Sequence, residues 1–185
     1  EIDMPRVPPI PYDDLGPFDR AKHIAQGSHL FDLNETRTRD SRRAYYAMMS
    51  YIDDRVGELL NALSETGLEQ NTVIIFTSDH GEMLGERGMW MKDCFYEWSE
   101  RVPLFISAPG VAPGRSSAVV SLVDLMPTLL EFAGVDLPVA TGQDGDSLVP
   151  LLHGQTDGWK DEAIVDYAGS GYPSPSRMVR QGRYK

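Results

Sequence analysis

A single cysteine, Cys94, stands in 185 residues, so no disulfide closes within the chain. Such sparse cysteine usage fits a reducing compartment, and the protein is expected to be cytoplasmic. Long apolar runs are missing as well. None approaches the roughly 20 residues that cross a bilayer, so no membrane partner is expected. Positive charge is short too: 17 Lys and Arg face 28 Asp and Glu, for a net charge of −11. Phosphate backbones want a basic surface, so no nucleic-acid partner is expected. The opening "EIDMPRVPPIPYDDLG" has neither a basic n-region nor an apolar h-region, and no signal peptide is read in it. It begins with Glu1 rather than Met, so the chain is expected to be a piece of something longer. Internal repeats and low-complexity tracts are absent.

What remains is the composition of a globular domain, 41% hydrophobic and 24% charged, long enough for one core or most of one. Residues 1–34 are rich in Pro and Asp, and read as extended or looped because Pro removes donors and restricts its neighbour. From Thr36 the pattern changes. Met48, Ile52, Val56, Leu59, Leu60 and Leu63 recur at helical spacing, and Gly67 is placed to end the helix. The basic run "TRTRDSRR" at its start reads as a solvated helix opening, with an anion site as the alternative. "VIIFTS" and "VPLFISAPG" read as two buried strands. A long helix followed by a fully apolar strand points to an α/β layer with a largely parallel sheet. A further strand is expected at about Ala118–Ser121. A helix follows, with Asp124 near its start, Pro127 in its first turn and Gly134 at its end. "DGDSLVPLLHGQ" reads as a turn and a short helix, with Asp144 and Asp146 as turn and N-cap residues. "EAIVDYAG" and "RMVRQGRYK" read as two short strands, the second still running at Lys185.

Chemistry concentrates at "VIIFTSDHGE", residues 73–82. An apolar strand delivers Asp79 and His80 to its carboxyl end, where ligands gather in open α/β sheets. A carboxylate beside an imidazole suits a divalent cation, and Gly81 permits close backbone approach. The alternative is that Asp79 caps the next turn and His80 fills a polar pocket. Lys92 follows in a glycine-rich loop, where a long cationic side chain can reach a bound oxyanion. Trp90, Phe95, Tyr96 and Trp98 read as core, with a pocket wall as the alternative. Cys94 has no activating neighbour. His23, His29 and His153 sit in unpatterned contexts.

Four stretches in order, "NTVIIFTSDHGEMLGERGMWMK", "FYEWSERVPLFISAPG", "VSLVDLMPTLLEFAGV" and "GDSLVPLLHG", resemble the C-terminal half of type I, formylglycine-dependent sulfatases of the alkaline-phosphatase-like superfamily. The likeness runs over roughly residues 36–155, and "RQGRYK" is similar to the family's closing strands. "DHGEMLGERGMWMK", "FYEWSERVPL" and the helix "RRAYYAMMSYIDDRVGELL" are most similar to the choline-sulfatase subgroup. The tail "AGSGYPSPSR" departs from that subgroup, and phosphonate monoester hydrolases are similar over the same motifs.

The resemblance implies an α/β fold: the C-terminal part of a sulfatase-like sheet flanked by helices, over 35–155, and the start of a small strand-containing subdomain over 156–185. It makes Asp79 a metal ligand, His80 a metal ligand or sulfate contact, and Lys92 the sulfate-binding lysine. The family's usual ion is calcium. Imidazole is a poor calcium ligand, so manganese and magnesium stay open. The family's formylglycine arises from a Cys-X-Pro-Ser-Arg motif, and an N-terminal pair of aspartates completes its metal site. Neither is in this chain: Cys94 sits in "KDCFYEW", and "YPSPSR" holds Pro173 where the nucleophile would be. The parent protein is therefore expected to hydrolyse a small-molecule sulfate ester, and the isolated chain to be inactive. Two alternatives stand beside this: a phosphonate monoester or phosphodiester hydrolase, and a non-catalytic segment that associates with itself as a homo-oligomer or docks on its missing half.

Overall fold

The computed structural model describes residues 2–27, 30, 34–135, 142, 144–168 and 175–185. His29 and residues 169–174 of the unusual tail lie outside the described residues. The chain divides into two compact units. The first comprises Glu1–Thr72, Phe76–Leu104 and Ala168–Pro175, and the second Val73–Ile75, Phe105–Tyr167 and Ser176–Lys185.

The first unit corrects the reading of residues 1–34. A 3₁₀ turn at Tyr12–Asp14 precedes helix α1, Pro17–Ala25. Pro17 opens this helix at a position where no intrahelical N–H is needed. Proline density on its N-terminal side disguised a short run that starts, rather than breaks, a helix. Helix α2 spans Glu35–Glu65. The Asn34 side chain caps it, accepting from the Arg37 N–H at 3.1 Å, and Gly67 follows its end at φ +70°. "TRTRDSRR" forms its first turns, with Arg39 on Glu35 at 2.8 Å and Arg43 on Asp40 at 3.3 Å. The run is not wholly solvated, because Thr38 and Arg42 are buried. Arg42 Nη1 donates to the Leu84 carbonyl at 2.7 Å. Most of the apolar stripe of α2 is exposed: Met48 is 56% and Leu59 71% exposed, while Val56 and Leu63 are half-buried.

A small apolar cluster of Met83, Met89 and Cys94 gathers Phe18, Tyr96 and Trp98 around it. Phe95 stacks on Phe18 at 5.7 Å, so these aromatics serve the core. The N-terminal segment is strapped to the same region. Buried Glu86 accepts from the Arg6 N–H at 3.0 and 3.1 Å and from the Val7 N–H at 2.9 Å.

Strands β1, Ile74–Thr77, and β2, Leu104–Ser107, are neighbours in a two-stranded sheet. Full burial, expected from their apolar sequences, is not reached: Phe76 is 40% and Phe105 66% exposed. A strand buried on both faces needs layers above and below it, and the described residues do not supply both.

In the second unit the strand expected at Ala118–Ser121 does not form. Val119 instead gives its N–H to Asp161 Oδ1 and takes a hydrogen bond from Trp159 Nε1, both at 2.8 Å, so side chains occupy the groups a ladder would use. Ser121 and Asp124 close a capping box ahead of α4, Leu125–Phe132. Pro127 lies in its first turn and Gly134 follows its end at φ +66°. Asp146 is not an N-cap. Leu148 holds that position before α5, Val149–Leu152, and Asp146 pairs with Lys160 at 3.2 Å. Strands β3, Glu162–Tyr167, and β4, Ser176–Gln181, pair antiparallel with Asp166 opposite Arg177. The last strand stops at Gln181, where a bridge to Tyr184 turns the chain back.

Candidate active site

Asp79 and His80 leave the end of β1 through Ser78, whose Oγ donates to the His80 carbonyl at 2.8 Å. Gly81 follows, and its N–H donates to the Ser99 carbonyl at 2.7 Å. A Cβ at Gly81 would lie 2.0 Å from the Trp98 carbonyl oxygen. Glycine is thus required here by close approach of the α3 segment, Glu97–Glu100, rather than by a left-handed turn.

The two carboxylate oxygens of Asp79 have different surroundings. Oδ1 accepts from the His80 N–H at 3.0 Å, which is the turn-capping role. Oδ2 lies 3.6 Å from His80 Nε2. The imidazole is oriented by its other nitrogen: Nδ1 sits 2.7 Å from the Gly81 carbonyl. A carbonyl only accepts, so Nδ1 carries a proton, and Nε2 is the nitrogen left to face a cation whenever the ring is neutral. Backbone carbonyls orient metal-binding histidines in this way. Asp79 is 82% exposed and His80 39%, so both donors are reachable from solvent. Metal–ligand bonds of about 2.0–2.6 Å span a 3.6 Å pair.

Desolvation, the largest single influence on Asp79, pushes its carboxyl up. The His80 charge, backbone N–H groups and Lys92 together outweigh it and hold the carboxyl below the ordinary range. Asp79, His80 and Lys92 all fall in the first compact unit. The loop carrying Lys92 is tied by Glu82, whose Oε1 accepts from the Leu84 and Met91 N–H groups at 3.1 and 2.5 Å. Met83 and Met91 pair by backbone at 2.8 Å.

The residues fit a divalent cation in part. One hard oxygen, Asp79 Oδ2, and one borderline nitrogen, His80 Nε2, lie 3.6 Å apart. No group of three or more His, Cys, Asp or Glu side chains able to hold a metal occurs among the described residues. Cys94 does not fit a nucleophile precursor, since it is 2% exposed within the Met83–Met89 cluster. Sequence reasoning missed Glu82, Glu86 and Lys22. The acid in "DHGE" was visible as a motif member, whereas nothing in the sequence marks Glu86 or Lys22.

The sequence matches the family model for sulfatases over residues 16–135. It is 41% identical over 182 residues to a choline-sulfatase of Rhizobium meliloti (strain 1021), covering 98% of this chain and 35% of that protein. The chain thus spans about a third of the length of that relative. Among solved structures, a 2-O GAG sulfatase is similar at a TM-score of 0.80 and 25% identity, over 95% of this chain and 40% of that one. A phosphonate monoester hydrolase from Silicibacter pomeroyi is similar at a TM-score of 0.69 and 35% identity, over 74% of this chain and 27% of that one. The fold is accordingly the α/β arrangement of the alkaline-phosphatase-like superfamily, as the motifs led us to expect.

Proposed function

The chain belongs to the sulfatase family, and from that premise we propose that the protein carrying it hydrolyses a small-molecule sulfate ester. Asp79 and His80 hold a divalent cation, and Lys92 binds the anionic sulfate group. The observation that carries this reading is the imidazole, with Nδ1 on the Gly81 carbonyl and Nε2 beside Asp79 Oδ2. When bound, a cation such as calcium, manganese or magnesium polarises the ester and helps to activate the nucleophile. Lys92 offsets the charge on the sulfuryl oxygens, where a preorganised donor has most effect. The remaining metal ligands and the formylglycine nucleophile lie outside this chain, which alone does not turn over. Choline sulfate is the favoured ester, on the 41% identity with a choline-sulfatase. A phosphonate monoester is the second reading, on the 35% identity with a phosphonate monoester hydrolase.

The test measures the full-length protein on choline sulfate, an aryl sulfate and a phosphonate monoester, before and after chelation. Chelation is expected to abolish turnover, and Lys92→Ala to lower kcat by about 10²–10³. A phosphonate rate above both sulfate rates moves the assignment to the second reading. Turnover by the isolated 185-residue chain overturns its dependence on outside groups.

A further inference from the structure

Lys22 stands in α1 with no exposed surface. A buried ammonium is costly unless its protons are taken up, and among the described residues its acceptor is not a carboxylate. Lys22 Nζ donates to the backbone carbonyl of Lys92. Gln26 Nε2, one turn along, donates to the same oxygen at 3.0 Å. Residues four apart share a helix face, so α1 presents two donors to one acceptor.

The backbone at that acceptor needs holding. Met91 and Asp93, on either side of Lys92, lie at φ +62° and +73°. Non-glycine residues persist in this region where the surroundings over-determine them. Glu82 Oε1 takes the Met91 N–H and the Met83 N–H reaches the Met91 carbonyl. The Lys92 carbonyl then goes to Lys22 and Gln26. Apolar residues of similar volume often replace buried charges without loss of stability. A charge at position 22 is therefore explained by what it holds.

The geometry points to Lys22 as a positioning residue: with Gln26 it fixes the backbone of Lys92, so that the Lys92 ammonium meets the anionic group of the ester. This rests on the assignment of Lys92 given under Proposed function. A lysine side chain has a long flexible stem, and fixing its root narrows the region its ammonium samples. Misplacement by about 1 Å costs on the order of 10²-fold in rate.

The test uses the full-length protein with an aryl sulfate as probe. Lys22→Met and Gln26→Leu are each made with Lys92 intact and with Lys92→Ala, and kcat, KM and amide exchange over residues 91–95 are measured. With Lys92 intact, Lys22→Met is expected to lower kcat/KM by about tenfold or more. In the Lys92→Ala background the further loss is expected to be under about twofold, because the two residues act through one group. Exchange at 91–95 accelerates by about tenfold. Equal losses in both backgrounds, or none, overturn the proposal, since a purely structural lysine would cost the same with or without Lys92. If Lys22→Met does not fold, Gln26→Leu carries the same cycle. Undiminished turnover by Lys92→Ala overturns the anion assignment itself. The hold on the carbonyl is then judged by exchange alone, and unchanged exchange overturns that too.

Discussion

Asp124→Ala is the substitution whose cost follows most directly from the structure. Asp124 has no exposed surface. Its Oδ2 accepts from the Ser121 N–H at 2.7 Å, and its Oδ1 accepts from the Asp146 N–H and from Lys160 Nζ, both at 2.9 Å. Alanine strands two backbone donors and one ammonium. Each stranded buried donor costs about 1–3 kcal/mol. Lys160 recovers part of its share, being 23% exposed and 3.2 Å from Asp146 Oδ2. The expected loss is about 3–5 kcal/mol, the range for breaking a buried pair from one side. That is a large part of the ~5–15 kcal/mol that holds a typical domain.

The assay is urea unfolding at pH 7, read as a lowered midpoint with an unchanged slope. Lys160→Met should cost less, about 1–3 kcal/mol, because Asp124 keeps both backbone donors. The double substitution should cost less than the sum of the two. Burial pulls Lys160 down, but hydrogen bonds and charge from Asp124 and Asp146 outweigh it and hold the ammonium above its ordinary 10.5. A raised folded value means the contribution is fully present below pH 10.5 and is lost as pH rises through the raised value. Asp124→Ala costing under about 1 kcal/mol, or strictly additive losses, would refute this reasoning.

Gly81→Ala places a methyl 2.0 Å from the Trp98 carbonyl oxygen, and a backbone atom cannot swing aside. It should cost about 1–3 kcal/mol or more and displace Asp79 and His80; added divalent cation is expected to raise the melting temperature of the full-length wild type, and that of Gly81→Ala less or not at all. Arg177, hydrogen-bonded to Asp166 at 2.6 and 2.8 Å, holds that carboxyl below its ordinary 3.8. The pair's small, salt-screened contribution is present above pH 3.8 and is lost as pH falls through the lowered value. Carboxyl NMR should show Asp166 titrating higher in Arg177→Gln, and an unmoved titration would count against the pair.

Much of this was legible because it rests on local rules. The α2 stripe and Gly67, Pro127 ahead of Gly134, and the two closing strands follow from periodicity, helix stops and β-rich runs, and each has its element in the structure. Asp79 and His80 stand out because an apolar strand delivers an acid and an imidazole together, and the structure places both just past the end of β1. The failures share a cause. Helix α1 hides behind prolines that start it. The strand expected at Ala118–Ser121 is absent because Trp159 and Asp161, some 40 residues on, take the hydrogen bonds of Val119. Asp146 looked like a cap until Lys160 claimed it. In each case a distant side chain, or a residue with two contrary local meanings, decided the outcome.

That same pattern accounts for five of the seven buried polar side chains among the described residues. Glu86 holds the N–H groups of Arg6 and Val7. Arg42 holds the carbonyl of Leu84, Lys22 that of Lys92, Asp124 the N–H groups of Ser121 and Asp146, and Thr128 the N–H of Leu148. Every one of these side chains ends on the backbone of an irregular segment. Loop backbone has no ladder to pair with, yet its groups must be satisfied wherever water is excluded. Apolar packing could bury such a loop but could not satisfy it. A buried charge or hydroxyl does both, and its directionality sets where the loop backbone lies. The desolvation of these groups is offset by the bonds they make, so their net contribution to stability is modest. Their contribution to geometry is not. Asp79, His80 and Lys92 all sit on irregular backbone between β1 and α3, where strand and helix hydrogen bonds cannot fix them. A site built on such a stretch needs side chains spent on its backbone, and charged residues at Glu82 and Lys22 are what that requirement looks like in this sequence.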